Sequence, residues 1–141
     1  MRTPAMMEGY YERPDLTREV LQDGWLRTGD VFARDEQGLY YFKARVKDVI
    51  KTGGENVYAS EVQAVILSHP EVQDCVVKGV PDLVWGEAVA AIVQPMKGSA
   101  LSPKAIQDFC KRHLASYKKP QKIGLVDDLG RDESGLSLIH I

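Results

Sequence analysis

Histidine and cysteine are scarce in this chain: three and two respectively in 141 residues. Cys75 and Cys110 stand far apart in no CxxC pair, which excludes a disulfide-stapled scaffold and, with scattered histidines, a zinc signature. A reducing cytoplasm is the simplest compartment for such thiol usage. No run of about eighteen apolar residues exists, so no membrane span is expected. Met1 to Glu8 lack the basic start and apolar stretch of a signal peptide. Neither sign of charge dominates, because 18 basic and 20 acidic side chains leave a net charge of −2. A partner held by bulk charge, nucleic acid above all, is therefore not expected. Repeats, low-complexity tracts and a Gly-x-Ser-x-Gly nucleophile elbow are also missing.

What remains is an ordinary globular composition, 44% apolar and 27% charged, in a length suited to one modest domain. Residues 1–37 carry few periodic apolar positions. Leu16, Val20 and Leu21 line one face of a short helix after Pro14-Asp15. Gly24, Gly29, Asp30 and Asp35 to Gly38 then punctuate the chain with turns. Leu39 to Phe42 and Val46 to Ile50 read as strands. This opening segment has too little apolar surface to fold alone.

The pattern is denser from Val46 onward. Thr52 to Asn56 reads as a loop. Ser60 with Gln63 has capping-box spacing, Val62, Val65 and Ile66 recur at helical intervals, and His69-Pro70 closes that helix. Val72–Val80 and Ala88–Val93 are strand candidates. Ser102-Pro103 opens a second helix with a buried stripe of Ile106, Phe109, Cys110 and Leu114. Ile123–Val126 is a last strand. Helices packed on a small sheet make an α+β domain of about 80 residues. The two cysteines, both in apolar stretches, are expected to be small core hydrophobes. His69 and His113 are given no catalytic role.

Three stretches exceed ordinary fold signals: Gly24-Trp25-Leu26-Arg27-Thr28-Gly29-Asp30, the run from Arg45 through Lys51-Thr52-Gly53-Gly54-Glu55-Asn56-Val57-Tyr58 to Glu61, and Pro81-Asp82-Leu83-Val84-Trp85-Gly86-Glu87. In this order they resemble the carboxyl-terminal portion of an acyl-CoA synthetase of the AMP-forming, adenylate-forming superfamily, the fatty-acyl/aryl-CoA ligase branch most closely. The resemblance covers about residues 6–129. It implies residues 1–45 as the β-rich end of a large AMP-binding domain, 46–129 as a small mobile lid, and 130–141 as an atypical tail. The phosphate-binding loop, the acyl pocket and the acid that helps hold magnesium are expected upstream, so the chain reads as a fragment. The implied reaction has two steps. ATP, with Mg2+ held in the missing amino-terminal domain, and a carboxylic acid give an acyl-adenylate and pyrophosphate. Coenzyme A then displaces AMP to give a thioester, after the lid has rotated.

The resemblance assigns roles residue by residue. Asp30 would hold the ribose hydroxyls of the adenylate, and Arg45 its ribose or phosphate; a charged carboxylate and a forked guanidinium suit oxygen-rich ligands. Lys47 would be the hinge, where a polar exposed residue absorbs backbone rotation. Lys51 would serve the thioester step, and Gly53, Gly54 and Glu55 would line the passage of the pantetheine arm, since glycine lets backbone approach a ligand closely. Trp85 and Tyr117 would wall that tunnel, with Lys118 and Lys119 as point charges for coenzyme A phosphates. The plainer readings are a loop acid, surface strand residues, a Gly-Gly hairpin turn, core aromatics and a solvated lysine pair.

One position departs from the pattern. The resemblance expects a late lysine after Ser-Gly that binds the reacting carboxylate and phosphate, and Leu136 follows Ser134-Gly135 instead. No lysine follows Lys122. Two other functions fit the same residues: a non-catalytic binding module that retains the lid fold, and the lid of an adenylation domain that loads a carrier protein.

Overall fold

In a computed structural model, residues 1–130 are described. The chain forms two compact units that divide between Lys47 and Asp48.

The first unit is built from short pieces. Helix α1 (Pro14–Val20) has proline in its first turn and buries no residue. The guanidinium of Arg13 donates to both oxygens of Asp15, at 3.0 and 2.7 Å. Strands β1 (Leu21–Gln22) and β2 (Trp25–Leu26) form a minimal hairpin. Its two-residue turn, Asp23-Gly24, takes φ of 52° and 76°, the Asp-Gly signature of a type I′ connection. Strands β3 (Asp30–Arg34) and β4 (Tyr40–Arg45) pair antiparallel. The Asp35 carboxylate organises the loop between them, accepting from the Gln37 and Leu39 amides at 2.9 Å each. Of β4 only Ala44 is buried, while Phe32, Tyr40, Tyr41 and Phe42 are exposed. A two-stranded ribbon is marginal in water, and this one buries almost nothing, as the sparse apolar pattern of the segment implies.

The second unit holds the core. Its five-stranded sheet runs β6 (Glu55–Tyr58), β5 (Val49–Thr52), β8 (Gly86–Pro95), β7 (Val72–Asp82), with β9 (Lys122–Leu125) parallel to β8. β7 and β8 form the long antiparallel spine. β5 meets β8 only through Thr52 opposite Gly86. Helix α2 (Ala59–Leu67) contributes Val62 and Ile66, and α3 (Pro103–His113) contributes Ile106 and Cys110, to one apolar cluster with Val57, Val89 and Val93. All of these side chains are fully buried. Cys75 is buried in the same cluster, and neither cysteine forms a disulfide. Burial pushes the Cys110 thiol up from its ordinary pKa.

The second helix begins where expected. Ser102 Oγ accepts from the Ala105 amide at 3.2 Å, and Pro103 occupies the first turn. The first helix of this unit differs. It starts at Ala59, and its N-cap residue Tyr58 makes no side-chain cap bond. Tyr58 is still paired with Val49, so β6 runs straight into α2 and leaves no loop in which a Ser60 cap could form. The expected strand from Val46 is also shifted. Val46–Asp48 makes a 3-10 turn and β5 begins at Val49. The Val46 amide is already donated to Gly29 O at 2.7 Å, closing the β3–β4 ribbon.

Candidate functional site

Candidate residues lie in both units. In the first, Asp30 opens β3 and Arg45 closes β4, and the two are direct cross-strand partners. Arg45 Nε lies 3.4 Å from Asp30 Oδ1. That separation is an ion-pair contact whose geometry is not that of a hydrogen bond, and Oδ1 is shielded from solvent with no hydrogen-bond partner. Shielded polar atoms are normally satisfied, so such an exception calls for an explanation. The Asp30 amide donates to Thr28 Oγ1 at 3.2 Å. Gly29, at φ 72°, turns the chain into β3. The pair presents acceptor capacity beside a five-donor fork, which suits hydroxyl- and phosphate-bearing ligands. Lys47 is exposed in the 3-10 turn that follows.

In the second unit, Gly53 and Gly54 form the whole of the β5–β6 turn. Thr52 and Glu55, read from sequence as part of a longer loop, are paired strand residues. The glycines sit at φ 58° and 85°, a conformation at two successive positions that favours glycine. Both are exposed, as are Lys51 and Glu55. The turn is backed by the β7–β8 loop. The Gly53 amide donates to Trp85 O at 2.9 Å, and the indole lies so close that a Cβ on Gly53 would stand 2.7 Å from Trp85 Cε3. Trp85 is itself 53% exposed. Asp82 Oδ1 fixes the loop by accepting from the Val84 and Trp85 amides at 3.0 and 3.1 Å. These bonds, and then the charge of Lys122, hold the Asp82 carboxyl below its ordinary pKa. Gly53, Gly54, Lys51 and Trp85 therefore share one open edge.

Tyr117 lies in a 3-10 turn (Ser116–Lys118) and is 40% exposed. Among the described residues no hydrogen bond, ion pair or ring contact joins Tyr117 or Lys119 to Gly53 or Trp85. Lys118 is not a solvated cation. Its Nζ donates to both oxygens of Glu61, at 2.6 and 2.8 Å. The hydrogen bond to Glu61 is the main cause that holds the Lys118 pKa above its ordinary value. A raised lysine pKa makes the pair's contribution complete below the unfolded value of about 10.4 and lost as pH rises through the folded one. Glu61 is 41% exposed, so solvent screening holds the contribution to about 0.5–1 kcal/mol. Glu61→Gln is expected to lower unfolding stability by that amount at pH 7, and denaturant titrations should show the deficit shrinking as pH rises past the ordinary lysine pKa. Glu61 ends the second motif of the sequence, but the 57-residue separation from its partner hid its role. Leu136 and the tail from residue 131 lie outside the described residues.

Among the described residues no three His, Cys, Asp or Glu side chains converge as metal ligands, so none is assigned to magnesium. No helix of the described residues is long and apolar enough to cross a membrane.

Comparison with known proteins gives a consistent result. The profile of the AMP-binding enzyme C-terminal domain matches residues 61–136. A 2-succinylbenzoate–CoA ligase of Geobacillus sp. (strain WCH70) is 40% identical over 140 residues, 99% of this chain and 28% of the relative. A fatty acid–[acyl-carrier-protein] ligase, ScoC, of Streptomyces coeruleorubidus is 42% identical over 96% of this chain and 26% of its own length. The structure of an o-succinylbenzoate CoA synthetase from Bacillus subtilis, in complex with its acyl-adenylate intermediate, superposes with a TM-score of 0.87 at 37% identity. It covers 97% of this chain and 28% of that one. The chain thus spans little more than a quarter of the length of the relatives it matches.

Proposed function

Because this chain belongs to the AMP-binding enzyme C-terminal domain family, we propose that it is the lid-bearing part of an ATP-dependent carboxylic acid–CoA ligase. In this reading Asp30 accepts hydrogen bonds from the ribose hydroxyls of the adenylate, and Arg45 donates to its ribose or phosphate oxygens. Lys47 is the hinge, and the division of the chain beside it supports that role. The open edge of Lys51, Gly53 and Gly54 then receives the thiol. Backbone without Cβ atoms lets the pantetheine arm pass closely, Trp85 and Tyr117 flank it, and Glu55 lies at the rim. Lys51 offsets negative charge on the adenylate, and Lys119 meets a coenzyme A phosphate. ATP, coenzyme A and a carboxylic acid are the substrates, and magnesium belongs to the large domain. The setting is the cytoplasm.

The observation that carries the reading is the exposed two-glycine turn with Trp85 packed against it. A plain hairpin needs only the turn. The half-exposed indole beside it, on a loop fixed by Asp82, adds an apolar wall to a backbone edge. Joined to an acyl-adenylate-forming body, the chain should discharge preformed acyl-adenylate onto coenzyme A. Failure of discharge in the presence of bound adenylate would reject the proposal. A second reading has specific support, because one relative is named for an acyl-carrier-protein acceptor. Offering a phosphopantetheinyl carrier protein in parallel separates the two, and coenzyme A is expected to be the faster acceptor.

A further inference from the structure

Glu87 sits on β8 beside the point where β5 peels away from the sheet. Since β5 pairs with β8 only at Thr52, the Lys51 amide has no strand partner on that side. It donates instead to Glu87 Oε2 at 2.6 Å, across 36 residues of sequence. A carboxylate acceptor makes such a bond short and about twice as strong as a neutral one. The carboxylate reaches this place because Gly79 of β7 leaves room for it. A Cβ on Gly79 would stand 3.1 Å from Glu87 Cδ, from Glu87 Oε1 and from Ile50 Cγ2. Glycine inside a strand, at a residue whose φ does not require it, marks such a close approach. Two tethers thus bind the β5–β6 hairpin to β8 and its preceding loop: Gly53 N to Trp85 O, and Lys51 N to Glu87.

We infer that Glu87 is a positioning residue for the thiol-accepting edge, with Gly79 as the space that admits it. The role in catalysis rests on the function proposed above. The tether itself rests only on this geometry. Glu87 replaces the missing ladder bond, so Lys51 and the Gly53-Gly54 turn are held in one register relative to Trp85.

The test compares the chain with E87A, E87Q and G79A by amide hydrogen exchange and by the Lys51 amide proton resonance. In E87A, exchange at Lys51 and Gly53 is expected to rise about tenfold or more, as local opening becomes easier, while Cys75 and Val93 in the core stay protected. E87Q keeps an acceptor oxygen and should restore most of the protection, with the Lys51 resonance moved upfield because the acceptor charge is gone. G79A leaves Glu87 in the chain but puts a methyl 3.1 Å from its carboxylate and from Ile50 Cγ2, so the carboxylate must shift on its seat, and the variant should loosen the Lys51 amide as E87A does even if E87A itself folds poorly. Unchanged exchange at Lys51 in both E87A and G79A would overturn the inference, and so would an E87Q as open as E87A. Joined to an adenylate-forming body, E87A should raise KM for coenzyme A about tenfold and leave pyrophosphate release unchanged. If the exchange changes occur in a protein that never uses coenzyme A, the proposed function fails and the tether stands.

Discussion

Gly53→Ala is expected to slow thioester formation by about two orders of magnitude, the scale of a 1 Å misplacement at a reacting centre, while adenylate formation proceeds at its normal rate. Two effects add at this position. A left-handed φ of 58° costs a residue with a Cβ about 1–2 kcal/mol. The new methyl would also stand 2.7 Å from Trp85 Cε3 and 3.1 Å from Cζ3, so either the indole or the turn must move. Both lie on the proposed pantetheine path. Gly54→Ala is the internal control. Its φ of 85° carries strain of the same kind, but no atom lies within 4 Å of the added Cβ, so it should lose stability and keep more of the thioester rate. Stopped-flow measurement of each half-reaction, with the chain joined to an adenylate-forming body, checks the split.

Leu136→Lys is expected to raise the pyrophosphate-releasing half-reaction by about 10²–10³-fold, the usual worth of one donor aimed at developing charge. An apolar side chain cannot stabilise charge that builds on phosphate and carboxylate oxygens. As it stands, the joined protein should therefore form thioester from supplied acyl-adenylate better than it forms the adenylate. Pyrophosphate exchange measured with leucine and with lysine at 136 decides this. Fast exchange with leucine already in place would mean that this position is not the one that meets the reacting phosphate.

Legibility in the sequence follows the range of each interaction. The Ser102-Pro103 start of α3 depends on neighbours three residues apart, and it formed as the local pattern implies. The Gly-Gly pair was visible as a turn, yet the flanking residues read as loop because pairing of Thr52 with Glu55 leaves no trace in hydrophobic period. The Ser60 capping box is a local signal overridden by a tertiary one, because Tyr58 is held in the sheet. Asp30 and Arg45 stand fifteen residues apart in separate motifs of the sequence, and only strand register shows them to be cross-strand partners. The bonds of Lys118 to Glu61, side chain to side chain, and of the Lys51 amide to the Glu87 carboxylate join residues distant in sequence. Periodicity and composition carry no information about such contacts, although both glutamates stand inside the motifs that mark the family resemblance.

The proposed function rests on a division of labour, in which residues up to Lys47 would hold the nucleotide and residues from Asp48 onward would present the edge that accepts the thiol. Single-turnover discharge of preformed acyl-adenylate by coenzyme A tests it most directly. The measurement compares an adenylate-forming body joined to residues 1–141 with the same body joined to residues 1–47 alone. The account predicts that both bind the adenylate, and that the shorter protein turns it into thioester no faster than free solution does. Equal discharge rates in the two proteins would contradict it.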